Sequence, residues 1–178
     1  MSGSGGPLPA TLWAAAFLFF AIESDLRRLR IPNWLTFPAL LTALLYQAVL
    51  GTGLDTALLG AGLALALLLP AWLLGFLGAG DVKATMPLGA LWGPEALLTL
   101  LVWSSLIGGV IGLVQLARAG ALGELAARWR DSLRTSFLVQ RPTFFRPEPG
   151  SAAAQVLPFA FVLGLGTIAT LSLGAAWA

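Results

Sequence analysis

The stretch FLGAGDVKAT, residues 76–85, decides how this chain is read. A long apolar run ends in Gly78-Ala79-Gly80, and Asp81 and Lys83 follow at once. Charge in or beside a bilayer is expensive, so a carboxylate framed by glycines at that place calls for a reason.

The surrounding composition makes a bilayer the natural solvent. Of 178 residues, 58% are hydrophobic and only 10% are charged, against about 25% charged in a soluble globular domain. The apolar residues run in blocks and do not alternate with polar ones. The chain has no Cys and no His. That removes disulfides, thiolate nucleophiles, His-based zinc sites and Ser-His triads, and leaves Asp, Glu, Lys, Ser, Thr and Tyr for any chemistry. A net charge of +2 gives no sign of a nucleic-acid partner. No metal or other cofactor is expected.

Six apolar segments are legible: Leu8–Ile22, Trp34–Leu50, Leu54–Leu77, Ala84–Trp92, Ala96–Ala117 and Ala154–Ala176. A spanning helix needs about 20 residues. The fourth is short, and reaches that length only if its helix begins near Asp81, the membrane thins or the segment is re-entrant. The start, MSGSGGPLPA, carries no basic residue, and charge follows the first segment where a cleavage site would be, so the run does not read as a secretory signal peptide. With six crossings and the N-terminus outside, the inside segments are 23–33, 78–83 and 118–153. Those three segments hold all ten basic residues, as loops facing the cytoplasm should. The expected fold is therefore an all-α, multi-pass integral membrane protein with about six transmembrane helices, the fourth short, forming one polytopic domain over residues 1–178.

Within 118–153, the cytoplasmic connector, Leu122, Leu125, Ala126, Trp129, Leu133 and Phe137 recur at helical spacing. Glu124, Arg128, Arg130 and Arg134 fall elsewhere on the wheel. This pattern predicts an amphipathic helix lying on the membrane surface. RPTFFRPEPGS, 141–151, reads as a Pro-punctuated loop into the last segment.

Asp25 follows one crossing and Asp81 follows three. Both counts are odd, so both carboxylates emerge on one side, at the ends of different helices, where they can meet. Two adjacent carboxylates share a proton. One can take a proton from an attacking water while the other donates to the carbonyl oxygen and later to the leaving amine. Gly78 and Gly80, lacking Cβ, permit a sharp turn or the close approach of another backbone. Each acid also has a plainer reading: Asp25 as a loop residue or cap, Asp81 as an N-cap of the fourth helix. Lys83 either stabilises carboxylate charge near Asp81 or is an interfacial lysine that fixes topology. Glu23 reads as an interfacial charge.

A second motif strengthens the catalytic reading. ESDLRRLRIPNWLT, 23–36, resembles the first aspartate signature of the prepilin peptidases: an Asp, a basic run, then Ile31-Pro32-Asn33. GAGDVK, 78–83, resembles their second signature, Gly-x-Gly-Asp followed by x-Lys. The resemblance implies a membrane-embedded aspartic endopeptidase of the bacterial or archaeal inner membrane, with Asp25 and Asp81 as its catalytic pair. It implies prepilin or pseudopilin precursors as substrates, cleaved of their basic leader at the cytoplasmic face, in type IV pilus assembly or protein secretion. It makes Gly78, Gly80, Lys83, Ile31, Pro32 and Asn33 site-shaping or substrate-binding candidates. For Pro32 and Asn33 the structural alternatives are a fixed φ and a cap on the second helix. Longer family members carry an N-terminal domain with paired Cys motifs linked to N-methylation. Here the first membrane segment begins almost at once and Cys is absent, so the chain is similar to the short, peptidase-only members. VLPFAFVLGLG, 156–166, is assigned no site role.

Three other classes fit parts of the pattern. A Ser–Lys peptidase would use Lys83 with Ser24 or Ser104. A small proton- or ion-coupled carrier would use the carboxylates, though it calls for charge at the bilayer midplane and both aspartates lie at segment ends. A non-catalytic pilus-assembly subunit would tolerate loss of either Asp.

Overall fold

In the computed structural model, which describes residues 8–28, 30–139 and 158–174, all regular structure among those residues is helical. The order is α1 (Leu8–Arg28), α2 (Asn33–Leu50), α3 (Leu54–Leu73), α4 (Ala79–Arg118), α5 (Leu122–Val139) and α6 (Phe159–Gly174). By length and composition, α1 to α4 are candidate membrane spans, and α6 is a shorter apolar helix. The protein is an all-α membrane-type chain. The loop expected at 141–151 and the ends of the last segment lie outside the described residues.

The chain forms two compact units, Met1–Ile107 with Pro158–Ala178, and Gly108–Leu157. In the first, the buried faces are narrow stripes of small residues. On α1 the stripe is Ala10, Ala14, Phe17, Leu18, Ala21 and Asp25; on α2 it is Thr36, Ala39, Ala43 and Gln47; on α3, Ala57, Gly60, Ala61 and Ala64. Steps of three and four keep each stripe on one helical face. Small residues let helix backbones approach closely, which is how helices associate when lipid is as apolar as their side chains. α1 packs on α6 and α2, and α2 on α3. Large apolar residues such as Leu41, Leu45, Val49, Leu58 and Leu59 point outward and stay exposed, as a lipid-facing surface requires.

Two boundaries differ from the sequence expectation. α1 continues past Ile22 to Arg28, so Asp25 sits in a helical turn and not in a loop. α3 stops at Leu73 and not Leu77. There the amide of Phe76 bonds the carbonyl of Ala71 and that of Gly75 bonds Trp72, with Gly75 at φ 81°: a Schellman ending that needs its glycine. The fourth and fifth segments are two helical legs, as expected: they meet within α4 at Gly93, φ 79° and ψ 179°, and the first leg begins at Ala79, near Asp81. Pro94 follows and has no N–H to give the preceding turn. Gln47 of α2 compensates by donating from its side-chain amide to the Leu91 carbonyl, while its oxygen accepts from the Thr52 amide. Irregular backbone among packed apolar helices needs such substitute partners.

The α3–α4 contact is tighter still. A Cβ on Gly60 would run into the carbonyl of Gly89, and one on Gly89 into Gly60. These two glycines let the backbones touch. Leu97, beyond the break, packs back toward Gly89, which joins the two halves of α4.

In the second unit, α4 ends in another Schellman motif, with Ala121 bonding Leu116, Gly120 bonding Ala117 and Gly120 at φ 67°. α5 follows as the expected amphipathic helix. Its Leu122, Leu133 and Phe137 are exposed.

Candidate active site

Asp25 lies on the stripe that also buries Ala21, Leu18 and Ala14, and this register turns its carboxyl inward. It is 6% exposed. Its Oδ2 accepts a hydrogen bond of 3.0 Å from the backbone N–H of Ala160, in the first turn of α6. First-turn amides have no partner within their own helix, and the positive end of the helix suits an anion. The last segment, given no site role from sequence, thus supplies the direct partner of Asp25. The donor is a main-chain group and leaves no side-chain signature. Pro158 just before it, whose carbonyl receives the Val162 amide, was the available sign of a helix start.

Asp81 stands in the first turn of α4, two residues after the helix begins at Ala79. Its Oδ2 accepts from the Gly78 amide at 2.8 Å, and its own amide donates to the Gly78 carbonyl at 3.1 Å. The side chain thus reaches back to the residue before the helix, as the acidic partner of a capping box does. The expected N-cap role changes accordingly, because Gly78 holds the cap position. Thr85, one turn on, donates its hydroxyl to the Asp81 carbonyl at 2.8 Å. The Ile31 amide lies against Gly80 and Asn33 bonds Lys83, so the loop after α1, which follows Asp25, packs on the turn of α4 that carries Asp81. Among the described residues neither acid forms an ion pair. Glu23, the third nearby acid, pairs with Arg27 at 3.1 Å along the surface of α1.

The other sequence candidates fall around these two. Gly80 is helical, and a Cβ there would lie 3.3 Å from the Ile31 amide. The close backbone approach that its glycine permits is therefore made by the loop after α1. A Cβ on Gly78 would lie 3.3 Å from the Asp81 carboxylate. Ile31 is buried. Pro32 takes the cap position of α2, with φ −75° and ψ 148°, and its carbonyl receives the Leu35 and Thr36 amides. Asn33 is the first residue of the helix, and no side-chain cap bond forms there, which corrects the expectation that it caps α2. The Asn33 side chain instead accepts a 3.0 Å hydrogen bond from Lys83 Nζ. Ser24 donates its hydroxyl to the Arg30 carbonyl at 2.9 Å and so is engaged with the loop. The two motifs, fifty residues apart, form one cluster at one end of the first unit.

No curated protein and no solved structure matches the chain. The type IV leader peptidase family matches it over residues 12–113. That match takes in both motifs, the whole aspartate pair and the break at Gly93, and it covers more than half of the sequence. Helices of membrane type, two acids brought together from separate helices and this match lead to one conclusion: the chain belongs to the type IV leader peptidase family and is a peptidase.

Proposed function

We propose that the protein is an aspartic endopeptidase that cleaves the basic leader from prepilin-like or pseudopilin precursors. The observation that carries this reading is the meeting of the two aspartate motifs, in which Asn33 accepts from Lys83 and the Ile31 amide lies against Gly80. The pair holds one proton. The ionised carboxylate takes a proton from a water molecule as the water oxygen bonds to the scissile carbonyl carbon. The protonated carboxyl gives its proton to the carbonyl oxygen. When the tetrahedral intermediate collapses, the C–N bond breaks and the leaving nitrogen receives a proton from the pair, so a carboxylic acid and an amine depart. Ala160 and Gly78 hold the two carboxyls by main-chain N–H groups, which fixes their geometry without a side chain that competes for the proton.

The basic residues of 23–33, 78–83 and 118–153 support a cytoplasmic-facing site in a bacterial or archaeal inner membrane. A precursor would leave its leader in the aqueous phase and its apolar segment in the bilayer. The test is a cleavage assay in nanodiscs with a panel of prepilin-like precursors, read by mass. Wild type should remove the leader; Asp25→Asn and Asp81→Asn should be folded and inert. Normal cleavage by both variants would sink the aspartic mechanism.

A further inference from the structure

Lys83 carries a charge two residues from Asp81, and the simplest expectation is that the two interact directly. The structure has a different arrangement. Among the described residues Lys83 makes no ion pair, and its Nζ donates to Asn33 Oδ1 at 3.0 Å. The bond joins the first turns of two helices, α4 and α2. It closes a ring: from Ile31 along the chain to Asn33, across to Lys83, back through Asp81 to Gly80, and across to the Ile31 amide. One further contact braces the ring. Ser24 holds the Arg30 carbonyl from the α1 side. The segment Arg30–Asn33 is thus gripped by the helices that carry each carboxyl.

From this arrangement, which rests on the peptidase reading above, we propose that Lys83 is a positioning residue that acts through Asn33. The bond holds the first turn of α4 against the start of α2 and thereby sets where the Asp81 carboxyl stands relative to Asp25. Lysine suits the task because its long stem bridges two helices and its ammonium group brings three donors to a single amide oxygen. Small displacements of a catalytic group cost rate far more than they cost binding.

A double-mutant cycle tests this, with kcat and KM measured on a precursor that wild type cleaves. Lys83→Met and Asn33→Leu should each lower kcat by about ten- to a hundredfold with KM little changed. The double variant should be no slower than either single one, because both remove the same bond. Lys83→Arg and Asn33→Asp keep a donor and an acceptor and should recover most of kcat. If Asn33→Leu keeps wild-type kcat while Lys83→Met does not, Lys83 acts on Asp81 or substrate directly and the proposal fails. Additive losses in the double variant overturn it as well, and so does a Lys83→Met chain that no longer folds by thermal unfolding. Asp25→Asn and Asp81→Asn run alongside separate the two failures. If they still cleave, the aspartic reading falls and takes this proposal with it; if they are inert and the cycle is additive, only the positioning role falls.

Discussion

At the start of α2, Asn33 accepts a hydrogen bond from Lys83 of α4; near its other end, Gln47 donates to the Leu91 carbonyl of the same helix. Both bonds tie α2 to the first half of α4. Their surroundings differ. Gln47 is buried, beside a helix break and two glycines that let α3 and α4 touch. Lys83 is only partly covered and neighbours the two acids. A buried polar bond among apolar helices repairs backbone, and losing it leaves unpaired groups where water cannot reach. A polar bond at an accessible end can hold a reactive pair without being needed for the fold. One end of this helix pair serves stability; the other carries the acids proposed for catalysis.

Substitutions at the two ends should therefore separate folding from turnover. The largest effect on rate belongs to Asp25→Asn and Asp81→Asn, which should lower leader cleavage by at least about 10²-fold while circular dichroism and thermal unfolding stay near wild type. Loss of the helical fold in both would erase the contrast. At the closed end, Gly60→Val forces a branched side chain against the Gly89 carbonyl. It should cost about 1–3 kcal/mol or more, read as lost yield and a lower Tm in detergent. Gln47→Leu strips the Leu91 carbonyl and the Thr52 amide of their side-chain partner. We expect a loss of about 1–3 kcal/mol, with kcat of the surviving folded protein unchanged. A fall in kcat at constant Tm would show that the closed end communicates with the acids. The smallest effects belong to Asp55→Asn and Asp131→Asn. Asp131 pairs with Arg130 in an exposed contact at 3.1 Å, of a kind worth about 0–1 kcal/mol. Cleavage should proceed at wild-type rate in both.

Much of this was legible in the residues. Counting crossings put Asp25 and Asp81 on one side, and they do lie at the same end of the first unit. Blocks of Leu and Ala marked the helices because a bilayer removes the alternation between polar and apolar faces. The misses have physical causes. The helical register of Asp25 was missed, because charge after Ile22 read as the end of the helix, whereas α1 runs on to Arg28 and turns that acid inward. Gly75 ended α3 early because a helix closes on a left-handed residue, a signal present in the sequence but outweighed by the apolar Phe76 and Leu77. The Ala160 amide could not be seen because any residue but proline offers the same group. The Lys83 partner could not be seen because a long flexible side chain meets whatever the fold brings within reach, here a residue fifty positions away. Gln47, a lone amide inside an apolar run, was passed over in the sequence, and its bond to the Leu91 carbonyl is what such a residue requires.

The break at Gly93 has a consequence for the surrounding lipid. The first leg of α4, Ala79–Trp92, rises about 21 Å at 1.5 Å per residue, well short of a hydrocarbon core of about 30 Å. Gly60 and Gly89 lock that leg against α3, so it has little freedom to adjust by sliding. A leg of that length crosses a bilayer only where the membrane thins around it, which would draw headgroups and water toward the end that carries Asp81. On that reading acyl-chain length is a control variable: cleavage should be faster in short-chain than in long-chain lipid, and equal rates in both would count against a thinned bilayer.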